Sequence, residues 1–256
     1  MSDAAIAVPS FDISGEVVLV TGASSGIGRH FAQVLAAAGA KVAAAARRAD
    51  RLSELARDIE SRGGTCLPLA CDVTKQDSIR EAIANAEDRL GPLSVLVNNA
   101  GVVVSKPLFE HSEADWDHVV DTNLKGAWLA ARDFAHHLVE RKRPGRIINI
   151  ASVLGFRTIG QVPAYCAAKA GLIHLTHVLA MELARYGILV NAIAPAGIAT
   201  EKAKGAGFLA ELASHTPLER NAEPGEIAGW IAILLDERNT YMTGETVIVS
   251  GGYIFA

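Results

Sequence analysis

Length, composition and charge restrict the classes of protein to which this chain can belong. Its 256 residues are 50% hydrophobic and 20% charged, which is typical of a globular protein with a sizeable core, and we expect a single domain over residues 1–256. The formal net charge of −4 offers no basic excess to a nucleic acid or an anionic membrane surface, so a small molecule is favoured as the main partner.

Targeting signals and metal-binding patterns are absent from the sequence. Residues 1–14 are predicted to form a loosely held N-terminal arm rather than a signal peptide, and no apolar run reaches the roughly 18 residues that span a bilayer, so we predict a cytoplasmic protein. The three cysteines include no C-x-x-C pair, which argues against a disulfide framework or a zinc site. His174 and His177 lie three residues apart, but no third ligand accompanies them, so no metal site is predicted.

Seven apolar runs of strand length recur along the chain. They cover residues 16–21, 41–46, 66–70, 93–97, 146–151, 188–194 and 246–250. Each run is continuous rather than alternating, as expected of parallel strands that are covered on both faces. Helix-length segments separate the runs, such as residues 50–63, where an apolar stripe starts at Leu52 and Gly63 marks the helix end. This alternation predicts an α/β, doubly wound Rossmann fold with a seven-stranded parallel sheet and helices on both faces.

The first predicted strand runs directly into a Gly-rich turn, TGASSGIG, that opens a helix. Gly22, Gly26 and Gly28 would let the backbone turn tightly and approach a pyrophosphate at the positive N-terminus of that helix. The same letters match G-x-S-x-G, the nucleophile turn of α/β-hydrolases, with Ser24 as the nucleophile. A hydrolase needs an oxyanion loop from an earlier strand, and only a short arm and one strand precede Ser24, so the phosphate loop is favoured.

The second predicted strand ends where folds of this kind contact the adenosine ribose. An Asp or Glu there would bind the 2′-hydroxyl of NAD, whereas a nearby Arg accommodates a 2′-phosphate. Ala46 occupies the position of the acid, and Arg47 and Arg48 follow it. The two arginines are either solvated charges at a strand end or a phosphate site, and the second interpretation favours NADP(H) over NAD(H).

The segment YCAAK places Tyr165 and Lys169 one helical turn apart, so that both side chains share a face. In one interpretation the Lys is a solvated charge and the Tyr an amphipathic residue. In the other, the ammonium lowers the pKa of the phenol from its ordinary value near 10, so that it exchanges a proton close to neutral pH. The surrounding helix, predicted over residues 163–186, has little polar face, which predicts a homo-oligomeric contact along it.

Six short motifs follow one another along the chain: TGASSGIG, CDVT, NNAG, TNLKG, IINIASVLG and YCAAK. In this order and spacing they resemble the short-chain dehydrogenase/reductase family, in its single-domain branch of 3-oxoacyl-reductase-like enzymes, over about residues 14–252. The resemblance favours the acidic-tyrosine interpretation. It implies an NADP(H)-dependent oxidoreductase that interconverts a ketone and a secondary alcohol.

The resemblance also implies roles for individual residues. Tyr165 would be the general acid for reduction and the general base for oxidation, Lys169 would lower its pKa and hold the nicotinamide ribose, and Ser152 would bind the substrate oxygen. Asn123 would hold a water that links Lys169 to solvent. Cofactor contacts are implied along the whole dinucleotide, at Gly22, Ser24, Ser25, Gly26, Ile27, Gly28, Arg47, Arg48, Asp72, Val73, Asn99, Ala100, Gly101, Tyr165, Lys169, Pro195, Ile198 and Thr200.

Some of these residues also have ordinary structural interpretations. Asp72 could cap the next helix, Asn99 could close a turn, and Thr200 could be a helix N-cap. Three positions depart from the family pattern, namely Ala196 in place of Gly, Ser250 where Asp is common, and Cys166 beside the catalytic Tyr. None of them removes a catalytic group, so an active enzyme is expected.

Residues 196–220 follow the sixth predicted strand at the edge where open sheets bind ligands. Gly205 and Gly207 would allow movement, and Phe208 and Leu209 could cover an apolar substrate, so we predict a substrate lid. A hydrophobic ketone or secondary alcohol is predicted from the apolar residues expected around the site, namely Val102, Val103, Leu154, Phe156 and Val162.

Several alternatives stay open at this point. Arg157 or Gln161 either binds a polar end of the substrate or faces water, and the homo-oligomer is a dimer or a tetramer. The main functional alternatives are an NAD(H)-dependent alcohol dehydrogenase of the same family and a non-catalytic nucleotide-sensing or scaffold protein. Retention of Ser152, Tyr165 and Lys169 disfavours the scaffold. An epimerase or dehydratase is disfavoured because the larger C-terminal substrate region of such relatives is absent.

Overall fold

The computed structural model of the chain describes residues 13–199 and 207–255. All seven predicted apolar runs form strands of one sheet, and every neighbouring pair of strands is parallel. The strands are β1 (Val17–Thr21), β2 (Lys41–Ala46), β3 (Thr65–Ala70), β4 (Val95–Asn98), β5 (Gly145–Ile150), β6 (Ile188–Pro195) and β7 (Thr246–Val249). The predicted seven-stranded, doubly wound fold is therefore confirmed.

The strand order is β3-β2-β1-β4-β5-β6-β7. Residue Val18 of β1 pairs with Val42 on one side and with Val95 on the other, so the chain reverses its direction of winding between β1 and β4. Open α/β sheets bind their ligands at such a switch point, outside the carboxyl ends of the strands. The topology therefore places a ligand crevice above the ends of β1 and β4.

Eight α-helices lie within the described residues. They are α1 (Gly26–Ala37), α2 (Ala49–Ser61), α3 (Gln76–Leu90), α4 (Glu113–Val120), α5 (Gly126–Glu140), α6 (Pro163–Leu183), α7 (Gly207–Ser214) and α8 (Pro224–Leu235). A π-helical turn, Asp121–Lys125, joins α4 to α5, and α6 ends in a 3-10 turn, Ala184–Tyr186. Among the described residues, no helix combines the length and the apolar character needed to cross a bilayer.

The helices form two layers, one on each face of the sheet. Helices α1, α2 and α8 pack on one face against alternate strand residues such as Val18, while α3, α5 and α6 pack on the other against residues such as Leu19. Phe31 of α1 and Phe134 of α5 are fully buried in the two layers, and burial of such a side chain contributes roughly 1.5–3 kcal/mol. The strands are covered on both faces, which explains why their apolar runs are continuous.

A chain of buried polar side chains crosses this core. The Asn98 amide donates to the Ala127 carbonyl and to the Asn149 side-chain oxygen, both at 3.0 Å. Asn149 in turn donates to the Thr176 hydroxyl at 2.9 Å, and Thr176 donates to the Leu172 carbonyl at 2.8 Å. The chain thereby joins α5, β4, β5 and α6, so the helix that carries Tyr165 and Lys169 has a defined position relative to the sheet.

The predicted N-terminal arm falls mostly on residues 1–12, which lie outside the described residues. Ile13 is buried, and its amide donates to the Ala38 carbonyl at 3.0 Å. Ile13 of the predicted arm is therefore anchored to the end of α1 rather than loosely held.

Candidate active site

A cavity of about 900 Å³ lies along the carboxyl edge of the sheet. It is lined by every predicted catalytic and cofactor-binding residue within the described part of the chain, from the Gly22 turn at one end to Ser152, Tyr165 and Lys169 at the other. Thr200 lies outside the described residues. The loops after six of the strands therefore bring together residues that are far apart in the sequence.

The Gly-rich turn packs directly against the loop after β4. Gly22 has a φ of +69°, and a Cβ there would lie 2.7 Å from the Cα of Ala100. A Cβ at Gly28 would lie 2.6 Å from the Gly22 carbonyl oxygen. Asn99 holds this contact, since its side-chain amide donates to the Thr21 carbonyl at 2.9 Å. The Asn99 side chain therefore links the loop after β4 to the Gly-rich turn, instead of closing a turn within its own loop as the structural alternative suggested.

The same turn presents the N-terminus of α1 to the cavity. Gly26, Ile27 and Gly28 line the cavity. Ser25 is the N-cap residue, and its side chain makes no capping hydrogen bond to the helix. The first amide groups of a helix need partners, and an anion supplies them together with a charge that the helix dipole favours. This end of the cavity is therefore suited to a phosphate group.

Arg48 reaches from the start of α2 to both serines of the turn. Its Nη2 lies 2.9 Å from the Ser24 hydroxyl and 2.6 Å from the Ser25 hydroxyl, and its Nε lies 3.2 Å from Ser24. Arg47 and Arg48 are exposed and line the cavity, while Ala46 is buried at the strand end. The hydrolase interpretation of Ser24 finds no support here, because its hydroxyl accepts from the Arg48 guanidinium, whereas a nucleophilic serine would donate its proton to a general base.

Asp72 lines the cavity just beyond the end of β3. Both the amide and the hydroxyl of Thr74 donate to its carboxylate, at 3.0 and 2.8 Å. Burial alone would raise the pKa of Asp72, but these hydrogen bonds and the nearby Arg47 charge bring that pKa below its ordinary value. Asp72 forms a turn with Thr74 rather than capping α3, whose N-cap is Lys75.

Three polar groups meet at the other end of the cavity. Tyr165 hydrogen-bonds to Ser152 through its hydroxyl, and the Ser152 oxygen accepts from the Leu154 amide at 3.1 Å. Lys169 is buried, and its ammonium donates to the Ile150 carbonyl at 2.7 Å. The structure thus places the predicted Ser, Tyr and Lys in one cluster beside the sheet.

The pKa values in this cluster differ from the prediction. Burial raises the pKa of Tyr165, and the hydrogen bond with Ser152, which acts in the opposite direction, does not compensate. Burial also lowers the pKa of Lys169 to about 8. The net direction for the phenol pKa is opposite to the predicted lowering, because desolvation disfavours both charged forms. The Lys169 ammonium donates to the sheet and lies over the ring face, 5.6 Å from its centre.

Helix α6 holds Tyr165 and Lys169 on the side that faces Ser152. Pro163 lies in the first turn of the helix. Backbone N–H groups in a first turn have no partner within the helix, so the missing N–H of Pro costs no hydrogen bond. The loop after Ser152 lies directly on this helix, since a Cβ at Gly155 would be 2.9 Å from the carbonyl carbon of Lys169. A glycine at this position allows the close approach that sets the Ser152–Tyr165 contact.

Asn123 lies in the π-helical turn between α4 and α5, a feature that is frequent at functional sites. Its side-chain amide donates to the carbonyls of Val102 and Val119 at 2.8 and 2.9 Å, and its side-chain oxygen accepts from the Val102 amide at 3.2 Å. The side chain therefore joins the β4 loop to α4. A water bound at Asn123 would have to use the main chain.

Comparisons with known proteins agree with this geometry. A family model described as enoyl-(acyl carrier protein) reductase matches residues 22–254. The chain is 37% identical to the 3-oxoacyl-[acyl-carrier-protein] reductase FabG of Staphylococcus epidermidis, over 91% of this chain and 97% of that protein. It is 33% identical to the 2-dehydro-3-deoxy-D-gluconate 5-dehydrogenase of Escherichia coli, over 96% and 98%.

A solved structure of a short-chain type dehydrogenase/reductase from Mycobacterium marinum superposes with a TM-score of 0.92 at 37% identity, over 96% of this chain and 98% of that one. The chain belongs to the short-chain dehydrogenase/reductase family. It is accordingly an NAD(P)-dependent oxidoreductase, and the resemblance drawn from its motifs is confirmed.

The substrate end of this dehydrogenase/reductase has apolar walls. Four of the predicted wall residues line the cavity, together with Ile159, which the sequence did not indicate, and Leu212 of the predicted lid; the four are Val102, Val103, Leu154 and Val162. The prediction for Phe156 is wrong, since it does not line the cavity and is 47% exposed. Its exposure follows from its position after the 3-10 turn Val153–Gly155, at whose C-cap the chain turns outward.

Neither predicted polar substrate contact lines the cavity of the short-chain dehydrogenase/reductase. Arg157 donates to the carbonyl of Tyr253 instead. Gln161 is exposed with a φ of +68°, and its carbonyl accepts from the Lys106 amide at 2.9 Å. Of the predicted lid, Ala196, Gly197, Ile198 and Leu212 line the cavity, whereas residues 200–206 and the side chains of Phe208 and Leu209 lie outside the described part.

Sequence reasoning missed some residues of the site. The Thr21 hydroxyl accepts from the amides of Asn99 and Ala100 at 3.0 and 3.1 Å, and a Thr at the end of an otherwise apolar strand was the available signal. Cys71 and His118 also line the cavity, and nothing in the sequence pattern pointed to them. Within the described residues, no group of three metal-ligating side chains occurs.

Proposed function

We propose that this enzyme interconverts a ketone and a secondary alcohol, with NADP(H) as the hydride carrier and Tyr165 as the general acid and base. The observation that carries the proposal is the meeting of Ser152, Tyr165 and Lys169 in the same cavity as the Gly-rich turn. When bound, the nicotinamide would supply or accept the hydride. The protein would supply the binding, the orientation and the proton transfer.

The residues of the cavity fit a dinucleotide. The volume of about 900 Å³ lies within the range of ligand pockets, roughly 300–1,000 Å³. Its Gly-rich end offers the amides of the α1 N-terminus to a pyrophosphate, and Asp72 and Val73 border the adenosine side. Lys169 at the far end would hold the nicotinamide ribose.

The preference for NADP(H) is supported by the charges around the end of β2. Arg48 already binds two hydroxyls at the phosphate turn, and Arg47 is exposed beside it. Ala46 leaves no carboxylate to bind a ribose hydroxyl or to repel a 2′-phosphate. An arginine–phosphate hydrogen bond contributes about 1.5–3 kcal/mol, which corresponds to a preference of roughly ten- to a hundredfold.

The proton chemistry follows from the buried cluster. Because the pKa of Tyr165 is raised, its hydroxyl is protonated at neutral pH and can donate to an alkoxide that forms on the substrate. Ser152 would bind the same substrate oxygen and steady its charge. Lys169, with a pKa of about 8, is mainly an ammonium at neutral pH and would stabilise the tyrosinate left behind.

The apolar walls support a hydrophobic ketone or secondary alcohol as the substrate. Besides Tyr165 and Lys169, the cavity is lined by the six aliphatic residues named above, and His118 is a further ionisable lining residue. A sugar acid is the second candidate, favoured by the resemblance to the Escherichia coli gluconate-type dehydrogenase, and it would use His118 to face its carboxylate. The predicted lid over residues 196–220 remains part of this proposal.

A screen of aliphatic ketones, secondary alcohols and sugar acids, read by the absorbance of reduced nicotinamide, tests the reaction class. We expect turnover of at least one apolar pair and its loss in Tyr165→Phe, with the variant still folded by circular dichroism. Near-normal turnover in Tyr165→Phe would contradict the proton role. Dinucleotide binding without turnover of any pair would favour the scaffold alternative.

We further propose a homo-oligomer, either a dimer or a tetramer. Three large apolar side chains on α5 and α6 are exposed, with fractions of 39% at Trp128, 41% at Val178 and 83% at Met181, and such exposed patches mark interaction sites. Light scattering coupled to size-exclusion chromatography should give the mass of two or four chains, whereas the mass of one chain would contradict the proposal. The cytoplasmic location stays a prediction from the sequence.

A further inference from the structure

The carboxyl-terminal segment is braced between the loop that carries Ser152 and helix α7. Its Tyr253 is 6% exposed and packs in one apolar cluster with Val153 and Leu212. Val153 follows Ser152 directly, and Leu212 of α7 lines the cavity. One buried aromatic ring therefore contacts both a catalytic loop and a wall of the cavity.

Arg157 also contacts this ring. Its guanidinium lies 4.9 Å from the centre of the Tyr253 ring, and its Nη1 donates to the Tyr253 carbonyl at 2.5 Å. A cation placed over an aromatic face in this way is attracted by the ring. The Arg157 amide also donates to the Val153 carbonyl at 2.8 Å, so the backbone of Arg157 belongs to the turn that starts after Ser152.

The backbone before Tyr253 is fitted against the segment that follows α7. Gly251 and Gly252 have φ values of +59° and +91°, and Cβ atoms there would lie 2.8 Å from Thr216 Cγ2 and 2.7 Å from Pro217 Cγ. The Leu218 amide donates to the Gly251 carbonyl at 3.2 Å. Only glycines allow this approach, so the segment after α7 is held at two points: by the glycine turn and by the Tyr253 ring.

We propose that Arg157 and Tyr253 form a clasp that positions α7, and with it Leu212, as a wall of the substrate cavity. The part of the proposal that concerns substrate rests on the proposed function, because the cavity is where the ketone or alcohol would bind. Arg157 and Tyr253 are positioning residues, since neither lines the cavity. Loss of the clasp should weaken substrate binding and leave the dinucleotide end unchanged.

Four substitutions separate the parts of the clasp. Arg157→Ala removes both the cation and the hydrogen bond, while Arg157→Lys keeps the cation and should restore part of the effect. Tyr253→Leu keeps an apolar side chain but removes the ring, whereas Tyr253→Phe keeps the ring and the carbonyl and should behave like the parent enzyme. If Arg157→Ala fails to fold, Tyr253→Leu and Arg157→Lys still test the clasp.

The chain offers a matched control. Arg185 lies 4.7 Å over the ring of Tyr186, just after α6, and this pair is exposed. Arg185→Ala removes the same type of cation–aromatic contact at a site that does not line the cavity. Any effect that Arg157→Ala shares with Arg185→Ala is therefore not specific to the clasp.

Two measurements decide the proposal. Hydrogen exchange of a peptide over residues 210–218 should quicken by about tenfold or more in Arg157→Ala and Tyr253→Leu, because local opening becomes easier. The KM for the best apolar substrate should rise about fivefold or more, with kcat and the NADPH dissociation constant within about twofold. Arg185→Ala and Tyr253→Phe should change neither quantity.

Unchanged exchange in Arg157→Ala and Tyr253→Leu, or an equal change in Arg185→Ala, would overturn the clasp. A fall in kcat with an unchanged KM would also overturn it, since that result would place Arg157 in the chemistry rather than in substrate positioning. If the parent enzyme turns over no ketone or alcohol, the proposed function fails, and the exchange measurement alone still decides whether the clasp holds α7.

Discussion

The ammonium nitrogen of Lys169 lies 5.6 Å from the centre of the Tyr165 ring, one helical turn along α6. It donates its hydrogen bond to the carbonyl at the end of β5 rather than to the phenol. Both groups are buried, which raises the pKa of Tyr165 and lowers that of Lys169 to about 8. The two groups therefore titrate in an order that determines how the reaction should respond to pH.

Ketone reduction should be insensitive to pH in the neutral range and decline in base. Below a pH of about 8, Lys169 is an ammonium that stabilises the tyrosinate after proton donation; above it the charge is lost, while Tyr165 itself remains protonated. We expect kcat/KM for reduction to be level up to about pH 8 and then to fall by about tenfold per pH unit. Initial rates at saturating NADPH give this profile, and a rate that rises above pH 8 would contradict the assignment.

Arg48→Ala should weaken the binding of NADPH far more than that of NADH. The guanidinium of Arg48 is held by Ser24 and Ser25 next to the end of β2, and in the proposed NADP(H) complex its loss would remove a contact to the 2′-phosphate, a group that NADH lacks. We expect a loss of about ten- to a hundredfold for NADPH and less than about threefold for NADH, measured by nicotinamide fluorescence. Arg57→Ala is the matched control, because Arg57 is an exposed arginine on the same helix. Equal losses for both dinucleotides would contradict the prediction.

Thr176→Val should destabilise the protein although the side chains have nearly the same shape. Val cannot accept the hydrogen bond from Asn149, whose amide is fully buried and would be left without that partner. An unsatisfied buried group costs about 1–3 kcal/mol, which urea unfolding should detect as a lower midpoint at an unchanged slope. Thr158→Val, at an exposed position, should leave the midpoint in place. A neutral Thr176→Val would show that the buried polar chain contributes nothing.

Gly28→Ala and Gly229→Ala should change stability in opposite directions. A Cβ at Gly28 would lie 2.6 Å from the Gly22 carbonyl and would also overlap the Asn99 side chain, whereas at Gly229 of α8 nothing lies within 4 Å. Gly28→Ala should therefore lower the melting temperature and abolish dinucleotide binding. Gly229→Ala should stabilise the protein by about 0.5–1 kcal/mol, because Ala restricts the unfolded chain and favours a helix. Calorimetry measures both, and a stable, dinucleotide-binding Gly28→Ala would refute the close packing of the turn.

The fold could be predicted because its signals are local. Each strand is covered on both faces, so each appears as an uninterrupted apolar run, and the stripe from Leu52 to Ile59 marks α2 without reference to any other element. The strand order could not be obtained in this way, since nothing within β1 distinguishes a neighbouring β4 from any other strand. That order depends on how the helices pack.

Some features of the site could likewise be predicted from the sequence, and others could not. Motif order along the chain indicated Ser152, Tyr165 and Lys169, and the structure places them together. The direction of the Tyr165 pKa was missed because desolvation depends on surrounding atoms that are distant in sequence. The contact that Arg157 makes was not predicted for a related reason: its partner, Tyr253, is 96 residues away, and a charged side chain near a site gives no local sign of which group it will contact.

Strands β1 and β4 separate β2 from β5 in the sheet, so the arginines proposed to select the dinucleotide and the residues proposed to move the proton are attached to different parts of the framework. During evolution, replacement of the few side chains after β2 could change the preferred cofactor from NADP(H) to NAD(H). The reaction itself would be unchanged. The choice of dinucleotide and the choice of product could therefore evolve independently.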